Sequence, residues 1–99
     1  MTQQNLQELR QKTEPIFRRY EITKAGVFGS FARGETRRNS DIDLLVKYGK
    51  VYSLFKLMDL KDELEKKLGK EVDLVDEECV KKLVKPYIKK DLVVFYEKR

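Results

Sequence analysis

The sequence predicts a small mixed α/β fold, a sheet of about four strands with helices packed on it. Three observations carry that expectation. Helical and strand patterns alternate along the chain. The strand-like runs are short, rich in Val, Ile, Leu and Phe, and punctuated by Gly or polar residues. Ninety-nine residues, 40% of them apolar, suffice for one thin core, so residues 1–99 are expected to form a single domain.

The elements follow in order. Met1 to Thr13 reads as a polar helix with Leu6 and Leu9 on one face. Pro15 lacks a backbone donor and predicts a kink or a new turn; Ile16, Phe17 and Tyr20 continue the apolar face beyond it. Ala25 to Phe28 is a short apolar run and reads as a strand. Ser30 to Arg33 reads as the first turn of a short helix, ended by Gly34. The polar loop Glu35 to Ser40 leads into Asp41 to Val46, the clearest strand of the chain. After a connector, Tyr48 to Val51, comes a helix over Ser53 to Leu68, capped by Ser53 and stopped by Gly69. Its expected apolar stripe is Leu54, Leu57, Met58, Leu64 and Leu68, and Lys61/Glu65, Asp62/Lys66 and Glu63/Lys67 pair on the wet side. Val72 to Val75 reads as a strand, Glu78 to Lys85 as a helix halted at Pro86, and Asp91 to Glu97 as a last strand.

Composition excludes several classes of chemistry. Charged residues make up 39% of the chain but are interspersed with apolar ones, which argues against disorder. The net charge is +5, and most of the excess lies in the first fifty residues. A phosphate-bearing partner would suit that half, but the charge alone does not imply direct nucleic-acid binding. With one cysteine, Cys79, and no histidine, an intrachain disulfide, a His/Cys zinc site and a His-dependent triad are all impossible. Any metal would be held by carboxylates, which points to Mg²⁺ or Mn²⁺. No apolar run approaches the ~18 residues a membrane span needs, and the polar start lacks a signal-peptide core, so a soluble cytoplasmic protein is expected.

Three motifs carry chemistry. In Asp41-Ile42-Asp43, strand alternation sends both carboxylates to one face, with Cα atoms about 6.6 Å apart, so they can share a cation. Alone, the pair fits a strand start with two solvated acids better. Asp73 sits among Val72, Leu74 and Val75, where an acid is costly to bury unless paired or metal-bound. It would reach the same cation if its strand lay beside that of Asp41. Phe28-Gly29-Ser30 is a strand end turning into a helix, with backbone donors and a hydroxyl to offer an anion. Together these are the parts of two-metal phosphoryl or nucleotidyl transfer.

Gly29-Ser30, ten intervening residues, then Asp41-Ile42-Asp43 resembles the signature of the nucleotidyltransferase superfamily typified by DNA polymerase beta. The fuller runs, Phe28 to Glu35 and Asn39 to Val46, resemble its minimal branch, the MNT antitoxins that pair with HEPN-domain ribonuclease toxins. The resemblance spans nearly the whole chain, and Asp73 falls where the family places its third acid. It implies the nucleotidyltransferase fold, ATP as substrate and two Mg²⁺ ions, with Mn²⁺ as a substitute. Asp41 and Asp43 would bind both ions, Asp73 the catalytic ion and the attacking hydroxyl, and Gly29 and Ser30 the triphosphate. Arg33 would touch phosphate or pair with a local acid; Arg37 and Arg38 read as a solvated, partner-facing pair. The implied activity is transfer of AMP to a hydroxyl, a tyrosine's by expectation, on a HEPN toxin, as in a type VII toxin–antitoxin system. Neutralisation by binding alone, and transfer to a small molecule, remain open alternatives.

Overall fold

A computed structural model describes residues 3–34, 41–48, 53–77 and 90–98. The described elements run α1 (Gln3–Arg19), β1 (Ile22–Phe28), α2 (Gly29–Ala32), β2 (Ile42–Tyr48), α3 (Leu54–Leu68), β3 (Val72–Asp76) and β4 (Val93–Glu97). The expected helix over Glu78 to Lys85, and Cys79 with it, lies outside the described residues.

Helix α1 buries Leu9, Thr13, Ile16 and Phe17, residues spaced to share one face. It continues through Pro15 rather than ending there. One carbonyl, that of Gln11, loses its partner, and the buried Ile16 and Phe17 hold the next turn in place. Thr13 is buried without cost to its hydroxyl, which donates to the Leu9 carbonyl at 2.7 Å. Glu21, at φ 57°, then turns the chain into β1.

Strand β1 begins at Ile22, three residues before the apolar run suggests. Thr23 and Lys24 look like loop residues but have partners. The Thr23 hydroxyl donates to the Lys47 carbonyl at 3.2 Å, and the Lys24 ammonium lies 3.0 Å from Glu77. The sheet order is β3-β2-β1-β4. Strand β1 is antiparallel to both β2 and β4, whereas β2 and β3 are parallel. A parallel neighbour needs a crossover, and α3 supplies it.

One sheet face carries α1 and α3 over the main core, which includes Ala25, Val27, Ile42, Leu44, Val46 and Val72. The opposite face carries a smaller cluster of Phe28, Leu45, Val75 and Leu92. Strand β2 thus places Ile42, Leu44 and Val46 under the helices, as the alternation predicts, and turns Asp43 and Leu45 the other way.

Helix α3 has the expected caps. Ser53 accepts from the Lys56 N–H at 3.1 Å, and Gly69 closes the helix at φ 69°. Its buried face differs from the expected stripe. Leu60 and Leu64 are fully buried, flanked by Leu57 and Leu68, while Leu54, Phe55 and Met58 are exposed. Two apolar stripes compete on this helix, and the sheet covers the one that includes Leu60. Helices α1 and α3 are tied by Glu63, which meets Arg19 at 2.6 Å and takes a hydrogen bond from Tyr20. That bond, reinforced by partial burial, pushes the Tyr20 hydroxyl up to about 12 and holds Glu63 below the usual carboxylate range. Among the described residues, no helix is long and apolar enough to cross a membrane.

Candidate active site

Strand register brings the second and third acids together. Asp43 and Asp73 are direct partners on the parallel strands β2 and β3, so their side chains leave the same face of the sheet, the face opposite the helices. Asp41 stands exposed just before β2, two residues from Asp43 and on the same parity. Among the described residues, the acids do not by themselves close into a three-ligand cage. Asp43 is half-buried, and its carboxyl is held above the ordinary carboxylate value. Burial is the first cause; the charge of Asp73, a hydrogen bond with Asp73 and the charge of Asp41 add to it, while Arg33 opposes it.

The Gly-Ser turn lies against this pair. Phe28 is the register partner of Asp43 across β1 and β2, so the chain leaves β1 level with the acids. Gly29 follows at φ 71°, a left-handed conformation that side chains resist. A Cβ at this position would collide with Asp43 Oδ2. Gly29 is therefore fixed twice, by backbone conformation and by the approach of the carboxylate. Helix α2 is a single turn, and no side chain caps its start; Phe28 occupies that position in extended conformation. Its first-turn N–H groups have no acceptor within the helix. Backbone donors, rather than a long helix dipole, are what this turn offers a phosphate. Ser30, half-buried, stands in the same turn.

We expect Gly29→Ala to cost about 1–2 kcal/mol from the left-handed backbone alone. The collision with Asp43 adds to that cost, and urea unfolding measures the sum. An unshifted midpoint would show that the turn relaxes freely.

Arg33 caps α2, its N–H bonding to the Gly29 carbonyl at 3.2 Å. Its Nη1 donates to Asp91 Oδ2 at 2.5 Å. A local acid therefore does engage Arg33, though one 58 residues away. Nothing in the sequence pairs the two, because only β4 docking beside β1 brings them together. A cleft of about 200 Å³ lined by Leu57, Met58, Lys61, Asp73 and Leu74 opens beside the third acid. Arg37 and Arg38 lie outside the described residues.

Carboxylates facing one another across two strands, beside a Gly-Ser turn that opens a helix, make up the layout of proteins that handle phosphates with cations. The sequence profile described as polymerase beta, nucleotidyltransferase, matches residues 11–99, and the chain belongs to that family. A Methanocaldococcus jannaschii protein, named as a candidate protein adenylyltransferase, is 42% identical over 90% of this chain and 96% of its own length. A solved structure described as a candidate minimal nucleotidyltransferase is 34% identical, with a TM-score of 0.71 over 89% of this chain and 93% of that one. The fold recurs in the structure of a tri-AMPylated Shewanella oneidensis HEPN toxin in complex with MNT antitoxin. There the TM-score is 0.70 at 19% identity, over 94% of this chain and 73% of that chain.

Proposed function

We propose that the chain transfers AMP from ATP to a tyrosine hydroxyl of a partner HEPN toxin in the cytoplasm, and so acts as the antitoxin of a type VII pair. The observation that carries this reading is the register of Asp43 on Asp73 beside Gly29, in a chain of the nucleotidyltransferase family. A candidate protein adenylyltransferase among its relatives and an AMPylated toxin bound to an antitoxin of the same fold support the substrate and the partner.

The donor set fits a hard divalent cation. It contains carboxylates only, and Asp43 and Asp73 are pressed together so that a proton is favoured where a cation could sit. Asp41 and Asp43 would hold two Mg²⁺ ions, with Asp73 on the ion nearer the acceptor. Bound there, the ions supply charge neutralisation for the triphosphate and polarise the reacting oxygens.

The chain's own residues do the rest. Gly29 and Ser30 hold the phosphates through backbone N–H groups and the hydroxyl, and Arg33 adds positive charge beside them. Asp73 accepts the proton of the acceptor hydroxyl as its oxygen bonds to the α-phosphorus and pyrophosphate departs. Holding the acceptor against the α-phosphate removes an entropic part of the barrier.

Incubation with labelled ATP, Mg²⁺ and the co-encoded toxin, followed by intact-mass measurement, tests the reading. We expect AMP on the toxin, none with EDTA, and retained transfer with Mn²⁺. Transfer that survives EDTA would overturn the metal mechanism. An Asp73→Asn chain that neutralises the toxin as well as the parent would show that binding alone suffices.

A further inference from the structure

The proposed reaction does not by itself explain what keeps the Arg33 guanidinium where a triphosphate can use it. A guanidinium is attracted to any carboxylate within reach and pairs with it through a planar fork of donors. A guanidinium turned onto the acids of the candidate site would compete with cations for the same oxygens.

Asp91 is placed to prevent this. Strand β4 pairs Val93 with Val27, and Asp91, at the end of a helical turn two residues before the strand, reaches the Arg33 guanidinium. Leu92 fixes the approach. It packs on the small cluster of Phe28 and Leu45, over Gly26, where an added Cβ would lie 2.7 Å from Leu92 Cδ1. The absent side chain at Gly26 is what lets Leu92 sit so close to the sheet. With Leu92 seated, Asp91 stands beside α2 with its side chain only 16% exposed, while that of Arg33 is 46% exposed. A carboxylate this sheltered binds its guanidinium more firmly than a surface pair would. Arg33 is thus held at both ends, its N–H by the Gly29 carbonyl and its Nη1 by Asp91.

We infer that Asp91 is a positioning residue, which holds the Arg33 guanidinium at the Gly29–Ser30 turn and away from the metal-binding acids. This rests on the function proposed above, and it adds a residue that acts on nucleotide binding through another.

The test uses the full chain and MgATP. Asp91→Ala should weaken MgATP binding by calorimetry, and raise KM for ATP in AMP transfer, by about tenfold, the worth of one charge-assisted hydrogen bond. The kcat should change less, and Asp91→Glu should recover most of the affinity. The exchanged pair, Arg33→Asp with Asp91→Arg, rebuilds the ion pair with the guanidinium on the wrong side. It should recover thermal stability without recovering MgATP affinity. A lowered Tm with unchanged affinity in Asp91→Ala, or an exchanged pair that binds MgATP normally, would overturn the inference and leave a structural ion pair. A parent chain that binds MgATP but modifies no toxin would overturn the partner reading alone, because calorimetry still reads the effect of Asp91.

Discussion

Asp43→Asn is expected to lower AMP transfer at least a thousandfold, roughly 4 kcal/mol of barrier, while the fold survives. Asp43 is the acid through which the site's parts meet: it faces Asp73 across the strands and lies against Gly29. The amide keeps the shape and removes the charge. The same change should leave stability without cations unchanged or raised at neutral pH. In the parent, the folded chain holds the Asp43 proton more tightly than the unfolded chain does. That contribution is fully present below the unfolded pKa and lost as pH rises through the folded value. The parent should therefore gain stability relative to the variant as pH falls, and urea midpoints at several pH values measure the crossing. Full activity in the variant would remove Asp43 from the chemistry.

The largest effect on stability should come from Phe17→Ala, about 3–5 kcal/mol. Phe17 is fully buried, and its ring centroid lies 6.0 Å from that of Phe95 and 5.2 Å from that of Tyr96. It joins α1 to β4, the two ends of the described chain. For a domain of this size such a loss takes much of the total stability. Phe55→Ala is the matching control. Phe55 is 81% exposed, and its removal should stay within about 0.5 kcal/mol. Similar urea midpoints for the two variants would contradict the packing described here.

What could be read from the sequence was what local geometry decides. The shared parity of Asp41 and Asp43, the burial of Ile42, Leu44 and Val46, and the caps Ser53 and Gly69 each depend on a few adjacent residues. What could not be read depends on contacts across the fold. Pro15 stays within a helix because Phe17 is packed on β4. Lys24 joins a strand because Glu77 meets it. Leu60 is buried in preference to Leu54 and Met58 because the sheet covers one of two competing stripes. The same division runs through the candidate site. The Gly-Ser turn and the acid pair are visible as motifs, whereas the facing of Asp43 by Asp73 is a register and the Arg33–Asp91 bond a consequence of β4 docking.

The mixed sheet also sets the order in which the chain can acquire this arrangement. Antiparallel β1 and β2 are near neighbours in sequence and bring Gly29 to Asp43 early. Parallel β3 can add Asp73 only after α3 has crossed over, and non-local pairings of this kind form slowly. Of the described strands β4 leaves the ribosome last, yet it docks beside β1, the first of them. Until it does, Arg33 lacks Asp91 and the face of Phe28 lacks Leu92. A partly synthesised chain can present the acid pair and the turn, but only one in which β4 has been made and docked can join its arginine to Asp91.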